Sequence, residues 1–295
     1  MKPTSAGASS DLEANVQDSA SVTTVTLSNG VKIPLLGIGM DQVRDLDAAY
    51  AALAFAFKTG YRSVDTASSY GNEAAVGRAV ADSGIGRGEL FVTTKVKALD
   101  HGFDRTLRAF DRSIELLGLD YLDSYLIHWP GKYLFVDTWR ALERLYDQGR
   151  VRAIGVCNFN PHHIETLRDH GEMTPMIDQV EWHVYFQQHD VARYCEEHDI
   201  LLEGWSPLMC GGVALEDPEI VRIAREKGRT PAQVILRWHV QRGRRVFPKS
   251  LTPERIAQNF DIFRFRLTEE ELIRIDELGS KNIRIGPDPD IFFMI

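Results

Sequence analysis

Short apolar runs alternate with longer segments whose apolar residues return every three or four positions, and this pattern governs the chain from residue 35 onward. Runs of the first kind read as strands and segments of the second kind as amphipathic helices. Residues 35–38 precede a predicted helix over 46–59, and 62–64 precede one over 73–80. Residues 90–94 lead to a helix over 104–117, 121–127 to one over 136–148, and 151–156 to one over 161–170. The strand at 177–180 is followed by a helix over 190–198. After 200–203 comes a long connection and then a helix over 231–241, and 245–247 precedes a short helix over 252–260. Ahead of this series, Asn29-Gly30 lies between β-prone residues 23–27 and 31–34, the signature of a two-residue hairpin. Residues 267–278 read as an additional helix and 279–295 as a tail.

Eight strand–helix units with short, apolar strands imply a parallel sheet covered by helices, and in a chain of this length they imply a (β/α)8 TIM barrel. The competing fold is a doubly wound sheet. Gly37 and Gly39 supply the first two glycines of its fingerprint, but position 42 is Gln, so the pattern fails. No Pro/Gly-rich linker divides the chain, which predicts one domain over 22–295. Residues 1–21 are rich in Ser, Ala, Asp and Glu without an apolar core, and read as a disordered tail and not as a signal peptide.

Composition narrows the function. A net charge of −8 argues against nucleic acid or an anionic membrane as partner, and no apolar run is long enough to span a bilayer. Cys157, Cys195 and Cys210 have no C-x-x-C spacing, so neither a disulfide framework nor a structural zinc site is expected, and a reducing cytoplasm fits. His162-His163 opens a helix and His183 and His189 fall on different elements, so no metal site is expected either.

Candidate chemistry collects at strand ends. Asp65 ends the second strand, with Tyr70 in the loop after it; Lys95 ends the third and His128 the fourth. Barrels place catalytic groups on the face where strands end. A phenol is a weak acid at neutral pH. An ammonium beside Tyr70 favours its ionisation, Asp65 balances the charge of Lys95, and His128 can hydrogen-bond a substrate oxygen. Taken singly, Asp65 reads as a helix cap, Tyr70 and Lys95 as surface, and His128 as a packed core residue; together, on one face, they read as a site. A second cluster, Lys249, Ser250, Thr252 and Arg255, surrounds the start of the last barrel helix, where cations and a helix N-terminus suit a phosphate.

Asp65-Thr66-Ala67 through Tyr70-Gly71-Asn72-Glu73, Thr93-Thr94-Lys95 and Leu126-Ile127-His128-Trp129-Pro130 occur in this order. They are followed by Ile154-Gly155-Val156-Cys157-Asn158-Phe159, Gly204-Trp205-Ser206-Pro207-Leu208 and Phe247-Pro248-Lys249-Ser250. In these motifs the chain resembles the aldo-keto reductases, from about residue 22 to its end. The resemblance implies NADPH-dependent reduction of an aldehyde or ketone, with Asp65, Tyr70, Lys95 and His128 as the catalytic tetrad and Tyr70 protonating the carbonyl oxygen. By the same likeness Trp205 stacks on the nicotinamide, and Cys157, Asn158 and Gln179 meet its carboxamide. Gly39, Met40, Asp65, Ser206 and Leu208 border the cofactor, while Lys249, Ser250, Thr252 and Arg255 hold its 2′-phosphate. Asn259, with Gln258 where many members carry Glu, reaches the adenine. Cys157 stands where the family usually has Ser. In the substrate pocket Asp41 and Lys97 occupy positions that are often aromatic, which implies a polar substrate or a pocket rearranged around other residues, the alternative being that both charges point to solvent. Trp129 and Phe292-Phe293 are the candidates for an apolar wall. The family likeness implies a monomer acting on a small-molecule carbonyl. An NADPH-sensing regulatory subunit, or an enzyme working in the alcohol-oxidising direction, are the alternatives.

Overall fold

The computed structural model describes residues 23–292; the tail expected over 1–21 and Phe293 lie outside them. Strands β1 (Thr24–Thr26) and β2 (Lys32–Pro34) pair antiparallel across the Asn29-Gly30 turn. Asn29 Nδ2 donates to the Arg152 carbonyl (2.9 Å) and Arg245 Nε to the Pro34 carbonyl (2.8 Å), so the hairpin covers the barrel end at which the strands begin.

Eight strands build the barrel: β3 (Ile38–Gly39), β4 (Ser63–Asp65), β5 (Phe91–Val96), β6 (Leu122–Ile127), β7 (Val151–Cys157), β8 (Ile177–Glu181), β9 (Leu201–Trp205) and β10 (Arg245–Val246). Each pairs in parallel with the next. The ring closes where Val246 N donates to Leu35 O (2.9 Å) and Gly37 N to Val246 O (3.0 Å). A Cβ on Gly39 would lie 2.9 Å from the Phe247 carbonyl, so the seam requires glycine at this position. The predicted (β/α)8 barrel is the observed fold.

Around it stand α1 (Leu46–Thr59), α2 (Glu73–Asp82), α3 (Phe103–Leu117), α4 (Phe135–Asp147), α5 (Pro161–His170), α6 (His189–Glu197), α7 (Pro218–Lys227), α8 (Pro231–Gln241) and α9 (Pro253–Phe260). The additional helix, α10 (Glu269–Glu277), follows them as expected. The long connection expected after β9 contains α7. Asp217 caps it, Pro218 opens it, and Gly228 at φ 61° ends it. Its apolar face is only Ile220, Ile223 and Ala224 among charged residues, too narrow a stripe to stand out in the sequence.

Strand alternation sends Ser63 and Asp65, Thr93 and Lys95, Gln179, Glu203 and Arg245 into the barrel lumen, and all are buried. The opposite faces carry Val64, Val92, Val96, Val180 and Leu202 against the helices. The lumen of this barrel therefore holds charged side chains, and they must be paired inside it.

Candidate active site

Lys95 is wholly enclosed, and all three hydrogens of its ammonium find acceptors. Nζ lies 2.6 Å from Asp65 Oδ2, 3.1 Å from the Thr66 carbonyl and 3.5 Å from the Tyr70 hydroxyl. Burial alone would lower the Lys95 pKa; the Asp65 carboxylate, through its charge and its hydrogen bond, outweighs burial and raises it, so the ammonium persists. On the Tyr70 phenol, burial is the largest influence and raises its pKa. Lys95 pulls the other way, as the sequence suggests, but Asp65 and Asp41 oppose it and burial prevails. Tyr70 is held as a neutral phenol, with its proton available for donation.

His128 meets Tyr70 edge to face, ring centroids 5.6 Å apart. Burial first, then the ammonium of Lys95, hold it well below the usual histidine range, so its ring is neutral. Ser69 Oγ is 3.2 Å from Nδ1, which leaves Nε2 as the atom open to a substrate oxygen. The loop carrying Tyr70 is pinned by Asn72, whose amide donates to the carbonyls of Met40 (2.8 Å) and Val43 (2.9 Å) and accepts from Thr66 Oγ1 (2.6 Å). The four tetrad residues therefore converge at one rim.

The residues expected at the nicotinamide form an adjoining group. Trp205 Nε1 donates to Asn158 Oδ1 (2.8 Å), and Asn158 Nδ2 donates to the His128 carbonyl (3.0 Å) and lies 3.1 Å from Cys157 Sγ. Asn158 and Ser206 both take positive φ, at 63° and 50°; in this region a non-glycine residue is uncommon, and Asn is among the types that tolerate it. Cys157 is buried, and burial keeps its thiol protonated. Gln179 Nε2 bridges Asp65 Oδ1 (2.9 Å) and Glu203 Oε2 (3.0 Å). Leu208 is half-buried next to this group.

At the far side, Thr252 caps α9 without a side-chain hydrogen bond, which leaves first-turn N–H groups open outward. Lys249 and Arg255 are exposed beside it, and neither has an ion-pair partner among the described residues. Ser250 Oγ accepts from Thr252 N (3.1 Å) and steadies the loop. Asn259 is buried on the inner face of α9, and Gln258 is exposed. A cationic, uncapped helix start of this kind fits a phosphate.

The expected pocket walls diverge. Trp129 is buried and packs edge to face on Phe292, centroids 4.5 Å apart. Lys97 is half-exposed, with Nζ 3.9 Å from Asp100 Oδ2. Asp41 is exposed, yet its charge acts on Tyr70, which places it at the same mouth.

Three features escaped the sequence pattern. The segment read as a tail is tied across the mouth: Glu181 Oε1 and Oε2 accept from Ile285 N (2.6 Å) and Gly286 N (2.8 Å). A Cβ on Gly286 would come within 2.4 Å of Trp205 Cη2, so the strap lies directly against the indole. Further along, Asp290 Oδ1 accepts from Asn160 Nδ2 (2.7 Å) and faces His162 Nε2 at 3.2 Å. His163 completes a His–His–Asp group with metal-ligand spacing. However, its Nδ1 accepts the Asn160 N–H (3.1 Å), which puts the neutral ring's proton on Nε2, the atom facing Asp290. That group tethers the strap and leaves one imidazole without a lone pair for a metal. Glu203 and Arg245 are the third feature.

A model of the Aldo/keto reductase family matches residues 35–280. The chain belongs to the aldo/keto reductase family. It is therefore an oxidoreductase, of a family that uses NADP(H) and acts on small-molecule carbonyls. It is 48% identical over 271 residues to the 9,11-endoperoxide prostaglandin H2 reductase of Trypanosoma cruzi, covering 91% of this chain and 95% of that protein. Identity to the glyoxal reductase of Bacillus subtilis is also 48%, over 267 residues, covering 90% and 96%. The Bombyx mori aldo-keto reductase, crystallised in complex with NADP, superposes with a TM-score of 0.85 at 31% identity over 92% of this chain and 96% of its own. No helix among the described residues is long and apolar enough to cross a membrane.

Proposed function

We propose that this reductase converts an aldehyde or ketone to the alcohol, with Tyr70 as the proton donor and NADPH as the reductant. The observation that carries the reading is the chain Tyr70–Lys95–Asp65, at 3.5 and 2.6 Å, which runs from a half-buried phenol to a buried ion pair beside a neutral His128. Bound NADPH supplies the hydride. Nε2 of His128 orients the carbonyl oxygen and Tyr70 delivers a proton to it, a contribution worth ~10²- to 10⁴-fold in rate. Lys95 stabilises the phenolate left behind, and Asp65 keeps that ammonium charged and in place. Arg255, Lys249 and the start of α9 favour a cofactor with a 2′-phosphate, hence NADPH over NADH. Trp205, Asn158 and Gln179 border the place for its nicotinamide.

Asp41 and Lys97 at the mouth favour polar carbonyls. Together with the glyoxal reductase likeness, this puts small α-oxo-aldehydes first among candidate substrates. The experiment is NADPH oxidation followed at 340 nm with α-oxo-aldehydes, aromatic aldehydes, α-keto esters, sugars and quinones. The reading predicts turnover led by the α-oxo-aldehydes. Tight NADPH binding with no turnover on any of them would replace it with a regulatory role.

A further inference from the structure

Below the tetrad the lumen holds a second pair of charges. Arg245 and Glu203 are both fully buried and form an ion pair on neighbouring strands β10 and β9. Arg245 is fixed independently. Its Nε donates to the Pro34 carbonyl (2.8 Å), its Nη2 donates to Ser63 Oγ (2.6 Å), and its guanidinium lies against the rings of Phe247 (4.3 Å) and Phe91 (5.1 Å). Glu203 spends Oε1 on Arg245 and offers Oε2 to Gln179 Nε2. Both hydrogens of the Gln179 amide are thus committed, one to Glu203 and one to Asp65. Turned over, the amide would aim its oxygen at two carboxylates, so its orientation is dictated by its neighbours. Its carbonyl oxygen accepts from Sγ of Cys157, the last residue of β7, at 3.8 Å. A thiol is a weak donor, which leaves that oxygen as an acceptor with unused capacity.

A barrel floor is ordinarily filled by branched apolar residues, and a buried ion pair is seldom more stable than such a filling. We propose that Glu203 and Arg245 are positioning residues: they lock the Gln179 amide so that its oxygen, not its NH2 group, is presented to the carboxamide NH2 of the cofactor. The inference rests on the reading that Gln179 contacts the nicotinamide carboxamide.

The test is a double-mutant cycle on NADPH affinity, read by fluorescence binding without substrate. In Glu203→Gln the new amide must turn its oxygen to Arg245, so its NH2 opposes that of Gln179 and unlocks it. The expected result is affinity lower by about 5- to 10-fold, the scale of one lost hydrogen bond. Gln179→Ala alone should weaken binding similarly, and the combined variant should bind no more weakly than Gln179→Ala. A second ligand separates positioning from scaffolding. In the acetylpyridine analogue of NADP⁺ a methyl group replaces the carboxamide NH2. Wild type should prefer NADP⁺ over it by about 10-fold, and Glu203→Gln should lose most of that preference. If Glu203→Gln proves insoluble, Glu203→Leu/Arg245→Leu removes both charges together and enters the same cycle. Additive losses, or an unchanged analogue preference, overturn the proposal while leaving Gln179 as a cofactor contact. An unaltered affinity in Gln179→Ala overturns the contact itself, and the proposal with it.

Discussion

Lys95→Met separates what the buried ammonium does for the fold from what it does for the reaction. The substitution keeps the length of the side chain and removes three contacts: to Asp65 at 2.6 Å, to the Thr66 carbonyl at 3.1 Å and to Tyr70 at 3.5 Å. Asp65, almost fully buried, is left with the Gln179 amide as its remaining side-chain partner. Breaking a buried pair from one side costs about 3–5 kcal/mol. At about 2–4 °C per kcal/mol for a chain near this size, the melting temperature should fall by roughly 10 °C. Lys95→Met/Asp65→Asn removes the orphaned charge, and most of that loss should return. Activity should not return, because Tyr70 still lacks the cation that stabilises its conjugate base; the rate should stay ~10²- to 10⁴-fold down in both variants. Thermal melts and urea titrations measure the first quantity, and NADPH oxidation per folded molecule the second. Recovery of activity in the double variant would refute the role given to Lys95, and an unshifted melt in the single variant would refute the pairing.

Acid should destabilise the fold through its buried neutral histidines. Burial, reinforced by Arg105, holds His101 down at about 4 against an ordinary value of 6.5, and burial holds His239 at about 3. The unfolded chain binds these protons first, so the stabilisation is complete above pH 6.5 and drains away as pH falls toward 4. For His101 this amounts to about 2–3 kcal/mol between pH 7 and 4.5, read by urea titration at the two pH values, and His101→Gln should flatten the slope. Arg255→Ala and Lys249→Ala should each weaken NADPH by ~10-fold or more with little change for NADH, measured by fluorescence binding; equal losses for both nucleotides would move the 2′-phosphate elsewhere. Gly286→Val forces the strap off Trp205, which a Cβ would meet at 2.4 Å. It should raise KM for the carbonyl several-fold while leaving the melting temperature within about 3 °C, the range of a surface change.

Much of this was legible in the sequence because the barrel repeats one simple pattern. Runs such as 121–127 are mostly apolar and, from Leu122 on, buried on both faces, so the strand stands out as a short block even though Asp123 and Ser124 lie inside it. Lys95 and His128 could be found because each stands where an apolar run stops, and the C-terminal end of a barrel strand is where chemistry is built. Glu203 and Arg245 sit inside runs of the same kind, yet their partners lie 24 and 42 positions away, on other strands. Only the register between β8, β9 and β10 brings them together, and no local spacing encodes it. The direction of the Tyr70 shift was missed for a related reason. The sequence names the neighbouring ammonium, but the depth of burial that outweighs it belongs to the folded rim. The strap over Trp205 is irregular chain held by backbone N–H groups on Glu181, and such bonds are indifferent to residue type.

The central claim is that Tyr70 gives the proton. Tyr70→Phe removes one hydroxyl and keeps the ring that packs on His128, so NADPH affinity and melting temperature should match wild type. With an α-oxo-aldehyde at saturating NADPH, its turnover should fall by at least ~10²-fold. Turnover within a few-fold of wild type, with NADPH bound normally, would mean that the proton comes from another group and that the rim centred on Lys95 serves the fold alone.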